Sequence, residues 1–164
     1  MLFQSGSHFV LWILVMSRLH FDRKAMPVIP EYRPMYKICQ ILLILKLSST
    51  GSKSSLIRFH LFNWALKDEK RICMLINSAE KKELSFGVWG IDPSLNMALS
   101  YANTEGLIDK NNTGYVLTDK GSEFLSKFKI VELFKDETKV LSSIGKKITE
   151  KMIMDVAQRW KNEI

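Results

Sequence analysis

The chain has 164 residues and a formal charge of +7, with 46% hydrophobic and 25% charged residues. That is the balance of an ordinary folded domain, which excludes a largely disordered polypeptide and allows a sizeable core. The charge is mild: the first 25 residues hold +2 of it, and the remaining +5 permits nucleic-acid contact without requiring it.

Cys39 and Cys73 both fall in apolar helical patterns and read as buried, reduced thiols, which points to a cytoplasmic compartment. Phe9 to Met16 is a run of eight apolar residues, too short to cross a bilayer. It also lacks the basic flank and cleavage pattern of a signal peptide, so no membrane partner is expected.

Residues 1–25 differ in character from the rest, and Met26-Pro27 reads as the initiator of the domain proper, with 1–25 an over-extended leader. The alternative is an amphipathic arm docked on the domain. Pro34 to Leu47 predicts a first helix that is apolar around most of its circumference and therefore central. Ser48 to Ser52 reads as a loop, and Ser54 or Ser55 caps a second helix running from Leu56 to Leu66. Asp68 to Ser78 predicts a third, with Ile72, Cys73, Leu75 and Ile76 inward and Lys70 and Arg71 outward, followed by a charged connector, Glu80 to Glu83.

Phe86 to Ile91 is an aromatic run punctuated by glycine, a loop or edge strand. Asp92 then caps a helix with Pro93 in its first turn and Leu95, Ala98, Leu99 and Ala102 inward. Gly106 supplies a left-handed C-cap. Leu107–Lys110 and Tyr115–Thr118 predict two short strands around the turn residues Asn111-Asn112-Thr113-Gly114. Thr118 or Asp119 caps a long helix from Lys120 to Phe134. Two shorter helices follow, one defined by Val140, Leu141, Ile144 and Ile148, the other by Met152, Ile153, Val156 and Trp160 with Thr149 as its cap.

The residues for catalysis do not converge. His60 and the two cysteines offer no metal-ligand spacing, and His60 reads as a helix residue with one satisfied nitrogen. Gly51-Ser52-Lys53-Ser54 lacks the earlier glycine and the Gly-Lys pair of a phosphate loop, and a helix precedes it where a strand is needed, so it reads as a flexible turn. No catalytic, cofactor-binding or metal residue is assigned, and the chain is not expected to be an enzyme.

Nucleic-acid binding is a stronger candidate than catalysis. The helix before the wing turns Asn96, Met97, Ser100, Tyr101, Asn103 and Thr104 outward, and no lysine or arginine occurs between Asp92 and Lys110. Asn96 and Asn103 are candidate adenine contacts, and Lys110, Asn111 and Asn112, with Thr113, are candidate contacts from the wing. Without basic residues on that helix, only weak, non-specific duplex binding is expected. Lys67, Lys70, Arg71, Lys81 and Lys82 are denser but interleaved with Asp68, Glu69, Glu80 and Glu83, a mixed solvated face. Protein contact has better support. Met35, Tyr36, Phe59, Phe62, Trp64, Phe86, Trp89, Met97 and Tyr101 exceed what the core is expected to hide, with Trp64, Trp89 and Tyr101 as candidate interface anchors.

The helix end at Glu105-Gly106-Leu107-Ile108, the wing, and the entry Gly114-Tyr115-Val116-Leu117-Thr118-Asp119-Lys120-Gly121 resemble the winged-helix domains of bacterial regulators. Together with Asp92 to Ala102, Phe124-Leu125, Arg33-Pro34, the segment Ser49-Thr50-Gly51-Ser52 and Asn63-Trp64-Ala65-Leu66, they are similar to the small middle components of bacterial ABC-type three-component systems. The resemblance covers residues 30 to about 135. It implies a mainly α (α+β) winged helix over residues 26–135, with residues 136–164 as additional helices packed on or extending it. The implied role is a non-catalytic subunit bridging an SMC-like or RecN-like ATPase and an effector, often a nuclease, in defence against phage or plasmids. The alternative is a winged-helix DNA-binding transcriptional regulator. No catalytic residues carry over.

Overall fold

The computed structural model describes residues 33–84, 87 and 89–162, with side chains described as far as Arg159. The expectations for residues 1–25 and for Phe86, together with the inward place given to Trp160, lie outside these. The fold is α+β, mostly helical with one small antiparallel sheet. In chain order the elements are α1 (Pro34–Ser48), β1 (Lys53–Ser54), α2 (Leu56–Ala65), α3 (Glu69–Lys81), α4 (Pro93–Thr104), β2 (Ile108–Asn111), β3 (Gly114–Leu117), α5 (Asp119–Lys127), α6 (Ile130–Leu133), α7 (Lys135–Ile144) and α8 (Glu150–Asn162).

α1 is the axis of the domain. Every residue from Lys37 to Leu45 is buried, as a helix apolar on all sides requires. α4 and α7 pack against it most extensively, with α5 and α2 completing the shell. The core joins Ile41, Leu42 and Leu45 of α1, Phe59 and Phe62 of α2, and Leu95 and Leu99 of α4 to Leu141, Ile144, Ile148, Ile153 and Val156 near the C-terminus. Ser48 Oγ donates to Leu141 O at 3.0 Å, tying the end of α1 to α7.

Side-chain caps set several of the helix starts. Ser55 Oγ accepts from the Arg58 N–H, Asp68 from Arg71, Thr118 from Gly121 and Thr149 from Met152. α4 closes in a Schellman turn: Gly106 N–H reaches Asn103 O, Leu107 N–H reaches Ala102 O, and Gly106 takes φ +68°.

Three local readings are corrected. Ser48 to Ser52 is not the whole connection, because Lys53 and Ser54 pair with Val116 and Tyr115, giving a third strand and the order β1-β3-β2. Two residues are too short for a period-2 signal. The continuous helix from Lys120 to Phe134 is broken, since Lys129 adopts the left-handed conformation (φ +48°) between α5 and α6. Cys73 is exposed on α3, whose buried residues are Leu75, Ser78 and Ala79. The inward stripe is rotated from the one expected.

Candidate functional site

The N-terminus of α4 is fixed by a polar network anchored in the core. Lys37, on the buried axis helix, donates from Nζ to Asn63 Oδ1 and Asp92 Oδ2, each at 2.9 Å. The same Asp92 oxygen accepts from Lys67 Nζ at 2.9 Å and Asn63 Nδ2 at 3.2 Å. Its other oxygen caps α4, accepting from the Ser94 N–H at 2.9 Å and the Ser94 hydroxyl at 2.6 Å. One carboxylate therefore holds α1, α2 and α4 together. Burial pushes its pKa up, but the hydrogen bonds from Ser94, Lys67, Lys37 and Asn63 outweigh burial and hold the carboxyl well below the ordinary range.

His60 completes the network. The Asp92 N–H donates to Nδ1 at 3.2 Å, so Nδ1 carries a lone pair; Nε2 must then carry the proton it gives to Asn96 Oδ1, also at 3.2 Å. Both nitrogens are satisfied, one more than expected from sequence. Burial lowers the His60 pKa, which keeps this neutral tautomer. A histidine so held is structural.

Three of the asparagines proposed for DNA are exposed but have their side-chain oxygens bonded within the chain. Asn96 Oδ1 accepts from His60, Asn103 Oδ1 accepts from the Lys110 N–H at 3.0 Å, and Asn111 Oδ1 accepts from the Thr113 N–H and hydroxyl at 3.0 and 2.9 Å. A bidentate adenine contact uses both ends of an amide, and each of these has its oxygen engaged. Asn103 and Asn111 shape the β2–β3 hairpin, whose turn is only Asn112-Thr113 because Asn111 pairs with Gly114. Asn112 is exposed there, and Lys110 lies exposed with Nζ 6.0 Å from the Tyr115 ring centroid. Gly114 is obligatory: a Cβ would come within 2.3 Å of Ser54 O.

Of the candidate interface anchors, Trp89 is buried at 3% exposure and belongs to the core, as do Phe59 and Phe62. Trp64 is half-buried, with the Arg71 guanidinium 4.7 Å from its ring centroid and bonded to its carbonyl. Tyr101 is exposed. With Pro93 and Met97 it forms an i, i+4, i+8 stripe along α4, all three exposed. Ile91, 75% exposed, stands beside the helix start. A recess of about 230 Å³ lined by Trp64, Ile91 and Pro93 with Lys67, Arg71 and Asp92 ends the stripe. Ile91 and Pro93 were not singled out from sequence; the 4-residue spacing from Pro93 through Met97 to Tyr101 was the available signal.

Among the described residues no helix is long and apolar enough to cross a membrane, and no group of three or more His, Cys, Asp or Glu is placed to hold a metal ion. Comparison with known proteins finds no matching family model, and no curated protein or solved structure of significant similarity.

Proposed function

We propose that the chain is a non-catalytic winged-helix interaction subunit that bridges an SMC-like ATPase and an effector protein, with α4 as its docking helix. The observation that carries this reading is the outward face of α4: Pro93, Met97 and Tyr101 in a row, flanked by Asn96, Ser100 and Thr104, with no charged side chain anywhere in the helix. Such a face suits a protein groove and offers no positive charge to phosphate. The order β1-β3-β2, with α4 leading directly into β2, supports a winged helix in particular.

The test is to compare the purified chain alone on duplex DNA with the chain co-expressed with an SMC-like ATPase. The reading expects co-purification with the ATPase and weak, non-selective DNA binding. Submicromolar, sequence-selective binding at physiological salt would establish the transcriptional-regulator reading instead.

A further inference from the structure

Large exposed hydrophobic side chains gather where α5 gives way to α6. Phe128 closes α5 at 51% exposure, and Val131 and Leu133 follow on α6, the latter 71% exposed. Exposed apolar residues scattered singly are ordinary, but a run of them beside a concavity marks a contact surface. The concavity is a recess of about 160 Å³ lined by Leu107, Lys120, Glu123, Phe124, Lys127 and Phe128. The last five follow the i, i+3, i+4, i+7, i+8 spacing of one helix face, leaving Gly121 and Leu125 turned to the core. The Phe124 and Phe128 rings lie together, with centroids 4.8 Å apart.

The charges on this face decide what covers it. Lys120 is spent on the carbonyl of Glu105. That leaves Glu123 and Lys127, both exposed and one helical turn apart. They could pair within the helix, yet Lys127 Nζ lies 5.9 Å from the Phe128 ring centroid, and the ion pairs among the described residues are those of Asp92 alone. The arrangement is complementary to itself. A two-fold axis across α5 sets Glu123 of each copy against Lys127 of the other. The same axis sets Phe124 against Phe128, because the two pairs are centred a residue apart along the helix.

We propose that this face is an isologous interface between two copies of the chain, with the α5 helices crossing antiparallel at the two-fold axis. Phe128 of each copy enters the recess of the other, and two Glu123–Lys127 ion pairs flank the rings. The surface is one helix and the short α6, so the dimer belongs with the small, weak interfaces. None of the α4 side chains assigned to docking takes part, so the inference stands apart from that reading.

The test is sedimentation equilibrium of the full chain from about 1 µM to about 500 µM, with circular dichroism establishing that each variant is folded. The wild type should show a monomer–dimer equilibrium with a Kd on the order of 50 µM. Phe128→Gln should weaken it at least about tenfold. Glu123→Lys or Lys127→Glu alone sets like charges together twice per dimer and should weaken it about tenfold, whereas the double reversal Glu123→Lys, Lys127→Glu should restore it to within about threefold. Met97→Asp, Tyr101→Asp should leave it unchanged. A wild type that stays monomeric throughout overturns the proposal, as does association that runs past the dimer. It is equally overturned if the dimer survives Phe128→Gln at full strength, if the double reversal is no better than either single one, or if the α4 variant abolishes it.

Discussion

Lys37 Nζ donates to Asp92 Oδ2 at 2.9 Å, joining a 2%-exposed site in the first turn of the core helix α1 to the N-cap of α4. The two partners are not equally dependent on each other. Asp92, 17% exposed, also has Lys67 and Ser94, whereas Lys37 without Asp92 would be a buried cation with one amide oxygen. Asp92→Asn preserves the cap but strands that charge, and it should cost about 3 kcal/mol or more. Lys37→Met leaves Asp92 solvated and otherwise paired, and should cost about 1 kcal/mol. Urea unfolding of both variants checks the order; a larger loss in Lys37→Met would contradict this account of the network.

The same network makes stability fall with acid in two separate windows. The folded His60 pKa is lowered from 6.5, so below pH 6.5 the unfolded chain binds a proton that the folded chain refuses, and stability drops as pH falls. The Asp92 pKa is lowered from 3.8, so its contribution is complete above that value and drains away below it. Protonating His60 Nδ1 would also break the bond from the Asp92 N–H. Between about pH 7 and pH 5.5 the melting temperature of His60→Gln should fall less than that of the wild type. Equal falls would mean that His60 is not the group titrating.

Gly121 offers a test in which helix propensity points the wrong way. Alanine in a helix interior is favoured over glycine by about 1 kcal/mol. A Cβ at Gly121 would nevertheless lie 2.1 Å from Leu107 O and 2.8 Å from Leu117 Cδ1, where α5 presses on the strands. Gly121→Ala should therefore destabilise by about 2 kcal/mol, the overpacking term winning. Thermal unfolding decides, and a raised melting temperature would show that the contact relaxes freely.

The thiols should separate chemically. Cys73 is exposed on α3, while Cys39 is 3% exposed and burial pushes its pKa up to about 11. In native protein, a thiol-reactive disulfide reagent should modify Cys73 promptly and Cys39 only after unfolding. Prompt loss in the Cys73→Ser variant would show that α1 is accessible.

The helices were legible wherever their signals were local. Ser55, Asp92, Thr118 and Thr149 each cap the helix that follows, and Gly106 closes α4, because capping needs only neighbours a few residues away. What was not legible depends on distant partners. Lys37 was not singled out, and its purpose appears only when Asp92, 55 residues on, is brought beside it. β1 exists because β3 offers an edge, and Trp89 is buried because the fold closes over it. The uncharged face of α4 could be read from its residues, but the hydrogen bonds of Asn96 to His60 and of Asn103 to Lys110 could not.

The central claim is that α4 docks on a protein. The direct measurement is a quantitative pull-down of a co-expressed SMC-like ATPase with the wild-type chain and with Met97→Asp, Tyr101→Asp, circular dichroism establishing that the variant is folded. Both side chains are exposed, at 55% and 48%, so the substitutions should leave the core intact. The account predicts that the wild type retains the ATPase and that the double variant loses about 2 kcal/mol or more of binding. Equal retention by the folded variant, or no retention by the wild type, would contradict it.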